Sequence, residues 1–301
     1  MGGTGAAHGW RPHVVTDEAV AEAAPVAAFQ ALLDDGLPLL RAGDPLPPLW
    51  HWLALPIWPR SSALGADGHP RRGGFLPPIE LPRRMFAGGE IILHAPIPIG
   101  SSVRRGAEVI GVEHKQGRSG ALAVVTTRTR LHVGDTLCLE ERQDLIYRSA
   151  PPRDPDVPPA QPAPPMPVEP VVPAAPLEKV AEHDGGGEWV LRTDPTLLMR
   201  FSAATANPHR IHYDWPYATG VEGYPGLVVQ GPLMTLLLAE AARLSGLADV
   251  RSLTHRNVAP LFCGDPGRLY LAADPDAPGT HLAHLVSAET VRTSLSIATG
   301  S

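Results

Sequence analysis

The chain has 301 residues and a formal net charge of −6, and its length predicts about two domains. The acidic balance and the lack of a dense Lys/Arg run argue against nucleic acid as the main partner. Two cysteines, Cys138 and Cys263, are too few for a disulfide framework, and no apolar run is long enough for a bilayer, so we expect a cytoplasmic protein without a membrane segment.

The first half of the chain predicts helices followed by strands. A helix is expected over 17–34, with Thr16 as its N-cap and a break at Pro25. A short helix over 47–55 follows. Alternating patterns then predict strands over 90–99, 107–113, 121–133 and 136–147, with a hairpin turn at 117–120.

Proline is concentrated near the midpoint, with 12 prolines in the 26 residues of 151–176. This density favours an extended polyproline II segment over helix or sheet. It predicts a linker over 151–177 between an N-terminal domain (1–150) and a C-terminal domain (178–301). The alternative is a peptide ligand for an aromatic-lined groove.

The second half repeats this order. A strand over 188–192 follows a glycine turn at 185–187, and Asp194 caps a helix with Pro195 at its first position. A polar loop (207–226) leads to the most apolar helix, 231–245, and then to strands over 252–262, 267–273, 281–287 and 290–297. One buried helix followed by antiparallel strands predicts an α+β fold, in which a curved sheet wraps the helix as in a hotdog fold.

One segment is dense in groups that transfer protons or bind polar ligands: FSAATANPHRIHYDWPYA, residues 201–218. Such a cluster between two helices is not needed for packing, so it is a candidate site. The alternative is a solvated loop. The candidates are Thr205, Asn207, His209, Arg210, His212, Asp214 and Tyr217.

A second segment, YPGLVVQGPL (224–233), ends where Gly231 opens the apolar helix. A helix N-terminus presents unpaired N–H groups, and glycine allows close approach of a ligand, so this position suits an oxyanion. The alternative is a glycine required only for tight packing.

Together the two segments resemble the MaoC-like hydratases, whose motifs are Asp-x-Asn-Pro-x-His and a later His-Gly-(Met/Pro). The whole chain is similar to two-domain members of this family, the hydroxyacyl-thioester dehydratases type 2 and the mesaconyl-CoA (3-methylfumaryl-CoA) hydratases. The first half contributes LGADGHPRRGGFLPPIELPRRMFAGG, HAPIPIGSSV, GRSGALAVVT and ERQDLIYR. The resemblance covers residues 45–150 and 185–275.

The resemblance implies a double hotdog and a hydro-lyase that adds or removes water across the 2,3-bond of an acyl-CoA. It places the general base at His212 and the oxyanion donor at the Gly231 N–H. Two positions depart from the motif: Asn207 stands where the motif has Asp, and Gln230 stands where relatives have His. Asn207 would orient water or thioester, and either Asp214 or His209 with water would assist His212.

Further substrate contacts are expected from the remaining polar residues. These are Thr205, His209, Arg210, Tyr217 and Gln230, with Arg71 and Arg72 for the phosphates of coenzyme A. A solvated basic loop is the alternative for the two arginines. No metal site or separate cofactor is expected, since coenzyme A is part of the substrate, and the N-terminal domain is expected to be non-catalytic.

Three alternatives stay open at this point. The same chemistry on a 3-hydroxyacyl group held by an acyl carrier protein is the nearest. A hotdog thioesterase would need an acidic residue at the carbonyl, for which Asp214 is the candidate. A non-catalytic thioester-binding protein is suggested by Asn207 and Gln230. The oligomeric state is also open, with a homodimer among the alternatives.

Overall fold

Among the residues that the structure describes, eleven strands form one continuous antiparallel sheet across both halves of the chain. The computed structural model describes residues 9–117, 120–149, 172–183 and 186–300. The first-half strands are β1 (Val14–Val20), β2 (Arg83–Leu93), β3 (Ser102–Gly117), β4 (Gly120–Val133) and β5 (Thr136–Arg148). Those of the second half are β6 (Leu177–His183), β7 (Gly186–Leu191), β8 (Val250–Asn257), β9 (Gly267–Ala273), β10 (Thr280–Ser287) and β11 (Thr290–Thr299). Their order is β1-β3-β4-β5-β2-β8-β11-β10-β9-β7-β6.

The two halves meet where β2 pairs with β8. Gly88–Ile92 run antiparallel to Ser252–Arg256, so the sheet passes from one half to the other without an edge. Gly88 allows the two strands to approach here, because a Cβ at this position would lie 2.6 Å from the His255 carbonyl oxygen of β8.

Within the described part of the chain, four α-helices accompany the sheet: α1 (Ala23–Leu33), α2 (His51–Ala54), α3 (Pro195–Ala204) and α4 (Gly231–Leu244). Helix α4 packs against β7 to β11 and β2, and its leucines Leu233, Leu236, Leu237 and Leu238 are buried. Asp194 caps α3 as predicted, accepting from the Thr196 and Leu197 N–H groups at 2.7 and 3.1 Å. The expected α+β double hotdog is confirmed.

The predicted helix over 17–34 is wrong in its first part. Val14–Val20 form β1, whose Asp17 lies opposite Arg105 of β3 and pairs with it. The helix begins only at Ala23. Pro25 lies in its first turn, where backbone N–H groups have no acceptor within the helix, so proline costs no hydrogen bond there. Thr16 is therefore no N-cap. The strand expected over 90–99 also starts earlier, at Arg83, and ends at Leu93.

Two other expectations concern the middle of the chain. Gly186 and Gly187 belong to strand β7 rather than to a turn, and β6, which pairs with β7, was not predicted. Most of the proline-rich segment, residues 150–171, and Gly185 lie outside the described residues. The division into domains at the linker stays a prediction. Within the described ranges, no helix is long and apolar enough to cross a membrane.

Candidate functional site

A cavity of about 660 Å³ lies at the junction of the two halves. Its wall combines the N-terminal loop around His69, strands β2 and β5, the polar loop after α3, and the start of α4. Residues that matter for its chemistry include His69, Arg84, Asn207, His209, His212 and Gly231. The cavity therefore draws functional groups from both halves of the chain.

His212 lies in a short 3-10 turn, Arg210–His212, and is buried. Its Nδ1 lies 2.7 Å from the Val228 carbonyl oxygen, a contact that places the ring proton on Nδ1. The lone pair is then on Nε2. Burial lowers the His212 pKa to about 4, although the bond to Val228 opposes the shift. The ring is neutral at pH 7 and suits the role of a proton acceptor.

Gly231 is the first residue of α4 and lines the same cavity as His212. Its N–H belongs to the first turn, where no intrahelical acceptor exists. A Cβ at this position would lie 3.2 Å from Phe86 Cδ1 and 3.5 Å from the Asn257 amide. The structure thus brings the two central residues of the sequence prediction to one cavity.

Asn207, Thr205 and His209 also line the cavity. The Asn207 Oδ1 accepts from the His209 N–H at 3.3 Å, while the Thr205 hydroxyl donates to the Phe201 carbonyl at 2.8 Å. The rings of His209 and His212 meet edge to face, 5.4 Å between centroids. Burial lowers the His209 pKa to about 2, so this imidazole is also neutral.

Sequence reasoning missed two residues of the first half, Asp67 and His69. The His69 ring lies 4.0 Å from that of His209 between centroids, and its Nδ1 lies 3.2 Å from Asp67 Oδ2. Burial lowers the His69 pKa to about 4 against the opposing effect of Asp67. Burial raises the Asp67 pKa, but the contacts with His69 outweigh it and leave a pKa of about 2. A charged carboxylate therefore supports an imidazole in the cavity wall.

The loop that carries Asp67 and His69 is docked on the polar segment of the second half. The Arg210 N–H donates to the Asp67 carbonyl at 3.0 Å, and the Arg210 Nη1 donates to the Ala66 carbonyl at 3.1 Å. Between them, Gly68 has φ +91°, and a Cβ there would lie 1.9 Å from the Pro208 carbonyl oxygen. Only glycine fits this contact.

Three predicted residues are brought together outside the described cavity wall. Asp214 pairs with Arg210 at 2.7 Å and accepts from the Tyr217 N–H at 3.1 Å. The Arg210 guanidinium also lies 4.3 Å from the Tyr217 ring centroid. The Arg210 contact lowers the Asp214 pKa. Asp214 is therefore occupied in holding the loop, and its proposed assistance to His212 has no supporting geometry.

The other predicted contacts lie away from this centre. Gln230 is fully buried, and its Nε2 donates to the Leu198 carbonyl at 2.8 Å and the Ser202 hydroxyl at 2.9 Å. Arg72 donates to the carbonyls of Ile79, Leu81 and Pro82. Arg71 Nε donates to the Leu64 carbonyl at 3.1 Å. None of the three is among the cavity-lining residues of the described chain.

Asp67, His69 and His209 also form the one group of described residues with the composition of a metal site. Their ligand atoms lie within 4.8 Å of one another. The Asp67–His69 hydrogen bond already satisfies one atom of each residue, so the arrangement has an explanation that needs no ion.

Comparisons with known proteins point in one direction. The family model described as hydroxyacyl-thioester dehydratase type 2 matches residues 49–263. Mesaconyl-C(4)-CoA hydratase of Chloroflexus aurantiacus is 45% identical over 236 residues, 78% of each chain. A MaoC-like dehydratase of Phytophthora capsici superposes with a TM-score of 0.63 at 13% identity, over 98% of this chain and 97% of that one. A Mycobacterium tuberculosis protein with a double hotdog fold gives 0.55 at 17% identity, over 96% and 94%.

Proposed function

Because the chain belongs to the hydroxyacyl-thioester dehydratase type 2 family, we propose that its cavity hydrates a mesaconyl-CoA-like 2-enoyl thioester, with His212 as principal acid–base residue. The protein is a hydro-lyase of acyl-CoA thioesters. The observation that supports the site is the position of His212 and Gly231 on the wall of one cavity. The name of the 45% identical relative supports the substrate.

The proposed hydration needs one base and one oxyanion donor. His212 Nε2 takes a proton from water while the water oxygen forms its bond to C3. The electron pair of the C2=C3 bond moves to the thioester oxygen, which the Gly231 N–H holds. The pair then returns as C2 takes the proton from His212. General acid–base transfer contributes roughly 10²- to 10⁴-fold, and an oxyanion donor roughly 10²- to 10³-fold.

We assign the supporting carboxylate to Asp67, acting through His69, instead of Asp214. Asp67 is charged and bonded to an imidazole in the cavity wall, whereas Asp214 is paired with Arg210. The Asp67 charge favours the protonated forms of His69 and His209, and so favours a transient positive charge in this part of the cavity wall. The first half would then contribute to catalysis, against the expectation that it is non-catalytic.

The function is tested with purified protein and three thioesters: crotonyl-, mesaconyl- and itaconyl-CoA. Loss of double-bond absorbance without free thiol is the expected result for mesaconyl-CoA. Release of thiol would identify a thioesterase, and no change in either signal would favour a binding protein. A parallel assay with the acyl group on a carrier protein separates the two thioester types, and we expect the coenzyme A form to react faster.

We propose the cytoplasm as the compartment. Cys138 is buried and Cys263 is partly buried, and both are free thiols, as is usual in a reducing environment. Fractionation of the native cells is the direct test, with the protein expected in the fraction that contains cytoplasmic enzymes.

A further inference from the structure

Arg84, in strand β2, places a guanidinium in the cavity wall next to the imidazoles. Its charge acts on His69 and His209, lowering the pKa of each. The side chain is half-buried, and burial lowers the pKa of its own guanidinium. A cation is therefore held partly out of water at the reacting end of the cavity.

The charge of Arg84 has no paired carboxylate in the described part of the chain. The neighbouring Arg83 pairs with Glu222 at 3.4 Å. Arg84 has no such ion pair within 4.0 Å among the described residues. The nearby carboxylate, Asp67, is bonded to His69. Tyr147, opposite Arg84 across β2 and β5, is fully buried. Burial raises the pKa of its hydroxyl, although the nearby Arg84 opposes the shift, so Tyr147 meets the guanidinium as a neutral group and supplies no negative charge. A partly buried cation without a paired anion is costly unless a ligand supplies one.

Of the other arginines near the cavity, Arg105 and Arg72 already have partners, and Arg148 lines the cavity without acting on the histidines. Arg105 lines the cavity, but its guanidinium donates to Asp17 and to the Leu55 carbonyl at 2.8 Å. Arg72 is held by three backbone carbonyls. Burial raises the Tyr224 pKa and Arg148 opposes that rise, whereas Arg148 is not among the groups that shift the pKa of His69, His209 or His212. Among these arginines, Arg84 is the one that lines the cavity and also acts on the imidazoles of His69 and His209.

Resting on the proposed function, we propose that Arg84 binds a free carboxylate on the acyl group of the substrate and selects dicarboxylic 2-enoyl thioesters over neutral ones. Arginine recognises carboxylate by paired, charge-assisted hydrogen bonds. In a four-carbon dicarboxylic acyl group this carboxylate is attached to C3, the carbon that water attacks. It therefore reaches the imidazoles together with the reacting bond. The phosphates of coenzyme A are separated from the thioester by the whole pantetheine arm, so they do not fit a cation at this end.

The test compares Arg84→Met and Arg84→Lys with the wild type on three substrates. These are mesaconyl-CoA bearing a free carboxylate, its methyl ester, and crotonyl-CoA. We expect Arg84→Met to lower kcat/KM for the free acid by roughly 10- to 100-fold, the size of a lost charged hydrogen bond. Activity on the ester and on crotonyl-CoA should change by less than about threefold. Arg84→Lys should retain part of the preference because it keeps the charge but not the paired geometry.

Arg105→Met is the matched control, because it removes an arginine of the same cavity that already has a carboxylate partner. It should not change the ratio between free acid and ester. Equal loss on all three substrates in Arg84→Met would overturn the proposal in favour of a structural role. A weaker inhibition by free coenzyme A in that variant would instead assign Arg84 to phosphate and also overturn it. Wild-type protein that prefers crotonyl-CoA refutes the selectivity alone, whereas wild type inactive on every thioester refutes the proposed function itself.

Discussion

The imidazole rings of His69 and His209 lie 4.0 Å apart between centroids, although the residues come from different halves of the chain. The Asp67–His69 hydrogen bond extends this contact to a charged carboxylate. The His212 ring meets that of His209 edge to face. The polar centre of the cavity is thus shared by two sequence segments that no local motif connects.

Replacing His212 tests the proposed base. His212→Ala should lower kcat by at least ~10²-fold, because general acid–base transfer contributes roughly that much. The variant should keep its fold, which thermal unfolding followed by circular dichroism would establish. Stopped-flow absorbance at the enoyl band measures kcat. If the variant keeps wild-type kcat, the base must be sought at His69 or His209.

Gly231→Val tests the oxyanion position. The added side chain starts 3.2 Å from Phe86 Cδ1 and occupies the wall of the cavity at the start of α4. We expect loss of turnover by more than ~10²-fold, the effect of losing an oxyanion donor. The midpoint of thermal unfolding should fall too little for unfolding to explain the loss of turnover. Gly106→Val in β3 is the control, since Gly106 has no positive φ, does not line the cavity, and nothing lies within 4 Å of a Cβ there. Comparable activity in the two variants contradicts the assignment.

The docked loop is tested by a pair of glycines with nearly the same backbone. Gly68 and Gly73 have φ values of +91° and +90°, so alanine strains both. Only at Gly68 does the Cβ collide with the Pro208 carbonyl, whereas at Gly73 the nearest atom is 3.7 Å away. Gly68→Ala should therefore lower kcat/KM far more than Gly73→Ala, measured with mesaconyl-CoA. Matching losses would indicate backbone strain alone.

The buried histidines predict a stability that depends on pH. His69, His212 and His255 have pKa values lowered from 6.5 to about 4 by burial. In that window the unfolded chain takes up protons and the folded chain does not, so the free energy of unfolding should fall as pH falls from 6.5 to 4. Urea unfolding at several pH values measures this slope.

His255 provides the control for the pH dependence. It stacks on Phe86 with 5.1 Å between centroids, and both of its ring nitrogens lack a hydrogen-bond partner in the described residues. His255→Leu should therefore reduce the slope between pH 6.5 and 4 by about one proton. An unchanged slope would mean that His255 already titrates normally in the folded protein.

The local motifs could be predicted because each lies within a few residues of the chain. Gly231 is recognisable as a helix opening, and His212 belongs to a cluster of polar residues that packing does not require. Asp67 and His69 carry only a weak local signal, because the spacing Asp-Gly-His is typical of any turn in which Asp bonds to the residue two positions on. Only folding brings this turn to His209.

The misassigned β1 has a similar cause. Thr16, Asp17 and Glu18 read as a helix start, because a capping residue is followed by acidic ones. In the fold these residues pair with β3, and Asp17 meets Arg105. A distant partner strand thus overrides a local propensity, as it does generally for short segments. No sequence pattern near Thr16 reveals that partner.

The pairing of β2 with β8 affects how the chain folds during its synthesis. Synthesis completes β2 long before β8 exists, so the emerging first half presents an unpaired strand edge to its surroundings. Such edges invite association with other chains, and pairings between distant segments form slowly. We therefore expect the first half, made on its own, to aggregate, and chaperones to protect the nascent chain until β8 is available to pair with β2.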